Sequence, residues 1–150
     1  MPIRCEIVSQ DRLVFEGNVD IVVVPGVEGE MGILPRHAPL LSALKMGVIR
    51  VRDQGKELEF TVSGGVVEVQ PDIVTIMADA AENVAEIDVS RAEAARRRAE
   101  EMLAKGVGLD TDKYMALEAA LRRSNLRLDA VRRYRGQRTQ VSGKGQEESK

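Results

Sequence analysis

The sequence contains few of the side chains on which catalysis, zinc binding and recognition of unpaired bases depend. Its 150 residues include two Tyr, two Phe and no Trp, so aromatic platforms for single-stranded nucleic acid are scarce. One His and one Cys leave no cluster for a zinc site and argue against a Ser-His or Cys-His catalytic pair. Because Cys5 has no second cysteine in the chain with which to pair, a reducing compartment is expected.

Long apolar runs are also absent. No stretch approaches the roughly 20 residues that a membrane-spanning helix needs, and the first residues lack the basic-then-apolar order of a signal peptide. The composition is 43% hydrophobic and 31% charged, which is ordinary for a folded protein with a core. A chain of this length makes one full-sized domain, or one small domain with an appendage.

The net charge of −2 conceals two halves of opposite sign. Residues 1–85 carry seven Lys and Arg against thirteen Asp and Glu, whereas residues 86–150 carry fifteen against eleven. All five prolines lie at or before Pro71, and residues 87–105 contain neither proline nor glycine. We therefore predict a first domain over residues 1–85, a second over residues 86–135, and a tail over residues 136–150.

The first half has the pattern of short β-strands. Val19–Val24 is a continuous β-branched run of the kind that is buried on both faces. Val48–Arg52 is followed by the turn Asp53–Lys56 and then by Leu58–Val62, which predicts a hairpin. Seven or more strands with regular turns and no intervening helix favour an antiparallel β-sandwich, with a core of Val and Ile.

The second half has the pattern of two helices joined in a hairpin. Asp88 and Ser90 are both candidate N-caps, and Ser90 with Glu93 fits a capping box. Glycines at 106 and 108 break the chain, and Asp110 can cap a second helix. The fold class is therefore α+β, a sandwich followed by an antiparallel two-helix hairpin. The polar, Gly- and Ser-containing residues 136–150 predict a disordered tail.

The first helix offers mostly alanines to the second. A buried Leu contributes about 1.5–3 kcal/mol and an Ala much less, so the hairpin is marginal alone and needs a surface to lean on. Docked and undocked states would then differ by only a few kcal/mol, a range in which a ligand can select between them. The sequence thus predicts a movable hairpin.

The hairpin register also brings charged residues together. A turn at about residues 105–110 places Asp88 and Arg91 opposite Arg123 and Arg127, which stand one turn apart on one face. Three arginines beside a helix N-terminus suit phosphate oxygens. The alternative is a solvated cationic face on which Asp88 serves only as a cap.

A run of positive charge follows on the second helix. Residues 122–138 hold seven Arg and one Asp. Nucleic acid is one partner for such a run, and a nucleic-acid-binding module is the alternative function that we carry forward. Because Tyr134 is the only aromatic residue there, an acidic protein surface fits as well, and so does a solvated helix end.

The segment Gly29–Leu41 (GEMGILPRHAPLL) is a rigid loop dense in Gly and Pro. His37 lies within it without a nucleophile or acid–base partner nearby in sequence, which favours a contact role over an enzyme acting through His37. This segment, together with Ser63–Asp72 (SGGVVEVQPD) and Ile87–Ala92 (IDVSRA), resembles the epsilon subunit of F-type ATP synthases, called delta in mitochondria. The resemblance covers residues 3–133.

The resemblance implies a non-catalytic subunit of the central stalk of a proton-translocating ATP synthase. The family's sandwich binds the gamma subunit and sits on the membrane rotor ring of c subunits, and its ring-contact Glu and His match Glu30 and His37. Its hairpin either folds against the sandwich or extends into the head of alpha and beta subunits, where it blocks ATP hydrolysis. The matching beta-contact residues here are Arg122, Arg123, Arg127, Arg132 and Arg133.

In some bacterial members the folded hairpin binds ATP as a regulatory ligand, and no cofactor is required. The family's motif falls on Asp88, Arg91 and Ala92, its two arginines on Arg123 and Arg127, and its preceding acidic position on Glu82. No Walker-type loop is present in the sequence. The basic patch at residues 96–98 departs from the family pattern. We expect the cytoplasmic face of a bacterial inner membrane, with the chain bound peripherally as part of the synthase.

Overall fold

The computed structural model describes the chain at residues 1–106 and 108–147, and its side chains at residues 1–106 and 108–137. The chain divides into two compact units, Met1–Val84 and Ala85–Lys150. The first unit is built from strands and the second from helices, so each is described by itself.

The first unit is an eight-stranded sheet folded over its own core. Its strands are β1 (Ile3–Val8), β2 (Leu13–Val19), β3 (Ile21–Gly26), β4 (Gly29–Ile33), β5 (Leu40–Asp53), β6 (Lys56–Val69), β7 (Ile73–Ala78) and β8 (Ala81–Asn83). Their order is β2-β1-β7-β6-β5-β3-β4, with β8 added to β6. Because β2 also contacts β5 and β8, which stand elsewhere in this order, the sheet closes into two layers.

Alternation of buried and exposed residues sets which face of each strand meets the core. On β1, Ile3, Cys5 and Ile7 are fully buried while Arg4 between them is exposed. The buried cluster is made of Ile, Val and Ala with one Leu, one Cys and Phe60, and all of its members lie within residues 1–84. The core of valine and isoleucine is thus as the sequence predicts, and the first unit has a core of its own.

One ladder of the sheet differs from the antiparallel arrangement that we expected. β1 pairs with β2 in antiparallel register but with β7 in parallel register, Cys5 lying opposite Val74. A parallel pair needs a long crossover connection, and strands β2 to β6 provide it here. The predicted hairpin is confirmed, since Asp53 lies opposite Lys56 at the end of the β5–β6 ladder.

A 3₁₀ turn at Val84–Glu86 connects the two units, and the second unit contains the helices α1 (Val89–Lys105) and α2 (Thr111–Glu147). The N-cap of α1 is Asp88, whose Oδ1 accepts the Arg91 N–H at 3.2 Å. Ser90 lies inside the helix, so the capping box expected between Ser90 and Glu93 is not used. Gly106 ends α1 with a left-handed φ of 60°.

The two helices contact each other, and residues 106–110 join them, so they run in opposite directions. Asp110 accepts the Lys113 N–H at 2.8 Å and caps α2 as predicted. In α1 the fully buried residues are Ala92 and Ala99. The predicted pair of antiparallel helices is therefore confirmed, and the buried residues of α1 are both alanines.

The helix α2 continues farther than the sequence indicates. It runs to Glu147 and so includes most of the segment for which we expected a disordered tail, while residues 148–150 lie outside the described residues. The segment contains no proline, and its Gln, Arg, Lys and Glu residues favour a helix, although its three glycines oppose one. A polar composition removes a core for packing but does not forbid a helix.

Candidate functional site

The first candidate surface is formed by the exposed residues of the β3–β4 turn and of the segment that leads into β5. We call residues 27–30 and 34–41 the loop face. Three hydrogen bonds hold it in shape: Val27 N–H to Ala43 O at 3.2 Å, Arg36 N–H to Pro71 O at 2.9 Å, and His37 N–H to Leu34 O at 3.1 Å. The loop face is therefore a fixed surface of the first unit.

The loop face exposes apolar side chains. Val27 is 56% exposed, Leu34 55% and Leu41 68%. Exposed apolar residues of this size are candidates for contact with another protein. The charged and polar residues among them are Glu28, Glu30, Arg36 and His37.

Glu30 lies on the edge strand β4 with its carboxylate held by an arginine. Arg50 Nη2 on β5 donates to Glu30 Oε1 at 2.7 Å, and 64% of the Glu30 side chain is exposed. The pairing fixes one carboxylate oxygen and leaves the other accessible to a donor from outside. The structure thus presents Glu30 as an oriented acceptor.

His37 is half-buried and oriented by its own backbone neighbourhood. Its Nδ1 lies 2.8 Å from the carbonyl oxygen of Ala38. Because a carbonyl only accepts, Nδ1 carries the proton, and Nε2 is the nitrogen left to face a partner. Across residues 1–106 and 108–147 no group of three or more His, Cys, Asp or Glu is placed to hold a metal ion.

The second candidate surface lies at the start of α1. Asp88 and Arg91 are exposed, whereas Ala92 is fully buried, so the motif residues face two directions. Asp88 accepts the Arg91 N–H through its side chain, and its carbonyl accepts the Ala92 N–H at 3.1 Å. The first turn of α1 therefore presents a carboxylate and a guanidinium beside a helix N-terminus.

On α2, Arg123 is exposed and Arg127 is half-buried and engaged in an interaction of its own. Ser124 and Leu128, on the turn between and beside them, are buried. Because α1 and α2 contact each other and are joined by residues 106–110, counting residues from this connection predicts that the turn lies opposite the start of α1. Glu82 lies on β8 in the other unit, half-buried and with a partner of its own.

The remaining basic residues line the exposed side of α2. Arg122, Arg132 and Arg133 are all exposed, and Asp129 is the acidic residue among them. On α1, Arg96 pairs with Glu100 at 3.9 Å, whereas its neighbours Arg97 and Arg98 are exposed. The hairpin therefore presents arginines from both helices.

The thiol of Cys5, the one cysteine in the sequence, is unsuited to act as a nucleophile. Cys5 is fully buried on β1, and this burial, with a smaller effect of the charge of Glu6, raises the pKa of the thiol to about 12. A thiol with such a pKa stays protonated at neutral pH and is not nucleophilic.

Sequence reasoning did not find two features of the loop face. Arg50 lies twenty positions from Glu30 in the chain, and only the sheet order brings them together. Arg36 adopts a positive φ of 66°. Pro35 before Arg36 was a usable signal, because proline favours the second position of a turn that needs a positive φ at its third.

Comparison with known proteins assigns a family to both units of the chain. A family model described as "ATP synthase, Delta/Epsilon chain, beta-sandwich domain" matches residues 2–84, and one described as "ATP synthase, Delta/Epsilon chain, long alpha-helix domain" matches residues 85–132. The chain belongs to the ATP synthase delta/epsilon family. The resemblance that we described from the sequence is thereby confirmed.

Relatives within the epsilon family match at high identity. The "ATP synthase epsilon chain" of Pelotomaculum thermopropionicum is 54% identical over 102 residues, covering 68% of this chain and 76% of that protein. The "ATP synthase epsilon chain" of Dehalococcoides mccartyi is 43% identical over 139 residues, covering 89% and 94%. Both alignments extend beyond the first unit into the helices.

Solved structures give the same result for the fold of this epsilon-family chain. A chain in the Euglena gracilis mitochondrial ATP synthase, in the structure of OSCP, F1 and c-ring, has a TM-score of 0.66 at 28% identity, covering 80% of this chain and 75% of that one. A Tetrahymena thermophila chain at 17% identity has a TM-score of 0.57 and shares the fold. Neither described helix of the present chain is both long and apolar enough to cross a membrane.

Proposed function

We propose that this chain is a non-catalytic subunit of the rotor of an F-type ATP synthase, located in the central stalk. The observation that carries the proposal is the match of both units, residues 2–84 and 85–132, to the ATP synthase delta/epsilon family. A protonated Cys5 and a His37 whose ring is hydrogen-bonded to the carbonyl of Ala38 fit a part that makes contacts rather than one that reacts.

In this proposal the loop face is a docking surface of the first unit. Its partners are the gamma subunit and the membrane ring of c subunits, with Glu30 and His37 as ring contacts. The fixed loop backbone and the Arg50–Glu30 pair support a surface that binds without rearranging. The complex would lie at the cytoplasmic face of a bacterial inner membrane.

The second unit is the regulatory element of the proposal. Its alanine-lined seam gives the hairpin little stability of its own, which favours two states of similar free energy. In the extended state the arginines of α2, among them Arg122, Arg132 and Arg133, would meet an acidic surface of the beta subunits and block ATP hydrolysis. In this proposal the arginines of α2 provide the contact that inhibits ATP hydrolysis, and the small helix–helix interface allows the hairpin to change state.

ATP is the proposed ligand of the folded hairpin. The register of the antiparallel pair would bring Asp88 and Arg91 on α1 near Arg123 and Arg127 on α2. Ala92 is the small buried residue of the motif. Arginines beside a helix N-terminus are suited to phosphate oxygens. ATP would hold the hairpin folded and act as a regulator, with no further cofactor.

The experiment is ATP hydrolysis by the complete synthase, assembled either with the whole chain or with residues 1–86 alone. The truncated chain keeps every residue of the sandwich core and is expected to fold and to join the complex. We expect hydrolysis to rise when the hairpin is missing, and most at low ATP. Equal hydrolysis by the two assemblies would contradict the regulatory role, and failure of either chain to assemble would contradict the stalk role.

A further inference from the structure

Two residues other than glycine have a positive φ among the described residues, Arg36 at 66° and Gln54 at 50°. Arg36 is the third residue of a turn in which His37 N–H donates to Leu34 O, and Pro35 is the second. Proline cannot adopt a positive φ, so this is the pattern of a type II turn. Glycine or asparagine is the residue that such a turn favours at the position of Arg36.

The structure around Arg36 holds this backbone conformation in place. The Arg36 N–H donates to Pro71 O at 2.9 Å and so ties the turn to the β6–β7 connection. A left-handed backbone conformation is free of strain for glycine, mildly strained for asparagine and more strained for other residues. The side chain of Arg36 does nothing to relieve this strain. An arginine at this position therefore needs a reason in its side chain.

The side chain of Arg36 is exposed and makes one weak contact within the chain. Its Nη2 lies 3.5 Å from the sulfur of Met1, a poor acceptor on a residue that is 93% exposed. Arg4, Arg50 and Arg52 of the same unit each pair with a glutamate, whereas Arg36, like Arg12, forms no ion pair among the described residues. Its guanidinium keeps most of its donors for a group outside the chain.

The neighbours of Arg36 indicate what that group belongs to. Leu34 precedes it by two residues and is 55% exposed, and Leu41 on the same segment is 68% exposed. A small anion such as phosphate would leave both leucines in water. A protein surface would cover the leucines and meet the arginine at once, and arginine is enriched in such interfaces.

We propose that Arg36 is a partner-binding residue of the loop face, and that its guanidinium pairs with a carboxylate on the protein surface that covers Leu34 and Leu41. The inference rests on the proposed stalk function, which makes the loop face a contact surface. A carboxylate is the acceptor that matches the planar guanidinium in two parallel hydrogen bonds. The left-handed turn aims this side chain outward at the expense of local stability.

The experiment compares three full-length variants in binding to an ATP synthase complex stripped of this subunit. Arg36→Asn removes the charge while keeping a residue that the turn tolerates, and Arg36→Lys keeps both the charge and the strain. Gln54→Asn is the matched control, since Gln54 has the same class of φ at the tip of the β5–β6 hairpin. Binding is measured by titration, and Tm by thermal unfolding of the free chain.

We expect R36N to bind at least about tenfold more weakly than the wild type, with a Tm that is unchanged or raised by a few degrees. R36K should bind with intermediate affinity. Q54N should bind as the wild type does. The difference between wild type and R36N should shrink as salt is raised, because a partly exposed ion pair is screened.

Three outcomes would overturn the inference. R36N binding within about twofold of the wild type would show that the side chain is not used. R36N that binds weakly and also melts at a clearly lower temperature would make Arg36 a structural residue. Failure of the wild-type chain itself to bind would overturn the proposed function and this inference with it, so the two failures are distinguishable.

Discussion

Arg50 on β5 donates from Nη2 to Oε1 of Glu30 on β4 over 2.7 Å, although β3 lies between these two strands. The pair spans a part of the sheet where the regular backbone hydrogen bonding between strands is interrupted. The β3–β5 register shifts between Val23 and Gly26, where Pro25 has no N–H to donate. A long cationic side chain thus links an edge strand to the strand beyond its neighbour and fixes where Glu30 points.

Replacing Arg50 tests whether that orientation matters for binding. For Arg50→Gln we expect a change in the free energy of unfolding of less than about 1 kcal/mol, because both side chains are partly exposed. Affinity for the synthase stripped of this subunit should fall by about three- to tenfold, since Glu30 loses its fixed position. Denaturant unfolding and titration measure the two effects.

Arg52→Gln is the matched control for Arg50→Gln. Arg52 also pairs across strands, with Glu57 at 3.4 Å, but its partner lies on β6 and not on β4. It should change stability by a similar small amount and leave affinity unaltered. Equal loss of affinity in the two variants would assign the effect to net charge rather than to Glu30.

The bend in β6 gives a prediction about stability. β6 pairs with β8 up to Val62 and with β7 from Gly65 onward, and Gly64 and Gly65 at the change of partner have φ of 116° and 136°. A Cβ on Gly65 would collide with the carbonyl oxygen of Met77 and lie 2.8 Å from the Cα of Ala78. Gly65→Ala should therefore lower the free energy of unfolding by roughly 2–4 kcal/mol.

Gly29→Ala separates backbone strain from collision in this experiment. Gly29 has a φ of 138°, close to that of Gly65, but a Cβ there would meet no atom within 4 Å. We expect the free energy of unfolding to fall by roughly 1 kcal/mol, which is the cost of a positive φ in alanine without any collision. Denaturant titrations of both variants check the difference. Similar losses at the two positions would rule out the collision as the cause.

Local patterns in the sequence predict most of this fold. Alternation on β1, the turn at Asp53–Lys56 and the caps Asp88 and Asp110 each depend on residues close together in the chain. Such features follow from side-chain period and from turn and cap chemistry. The two helices were predictable for the same reason.

Features that depend on distant parts of the chain were not predictable. The parallel register of β1 with β7 requires knowing where β7 lies after five intervening strands. The partner of Glu30 depends on the order of β3, β4 and β5. In each case a tertiary contact overrides or adds to what the local sequence favours.

The buried thiol predicts how stability changes in alkaline solution. Burial raises the pKa of Cys5 from 9.0 to about 12 in the folded chain, so between these values the unfolded chain loses the proton first. The stabilising effect is complete below pH 9 and decreases as pH rises, at up to about 1.4 kcal/mol per pH unit. Cys5→Ala should show a flatter decline between pH 9 and pH 11, as measured by denaturant unfolding.

Reactivity of the same thiol provides an independent check. A thiol reagent should modify Cys5 in the native chain only at the rate of unfolding, because the side chain is fully buried. In denaturant the reaction should become fast. Rapid modification under native conditions would show that β1 opens readily and would contradict its place in the core.

Binding of ATP to the free chain tests the site at the start of the hairpin. We expect isothermal titration calorimetry to detect ATP at millimolar or lower concentration, and Arg123→Ala or Arg127→Ala to weaken binding by about tenfold each. Arg122→Ala is the matched control. It removes the same charge from the same turn of α2 but lies outside the set of Asp88, Arg91, Arg123 and Arg127.

Asp88 needs two variants because it also caps α1. Asp88→Asn keeps a side-chain oxygen for the Arg91 N–H, whereas Asp88→Ala removes the cap and should cost about 1 kcal/mol of helix stability. If the carboxylate takes part in nucleotide binding, both variants should alter ATP affinity, and only D88A should lower the thermal stability of the helices followed by circular dichroism. Unchanged ATP affinity in D88N would show that Asp88 serves only as a helix cap. Absence of binding heat from the wild-type chain at millimolar ATP would contradict the proposed ATP site as a whole.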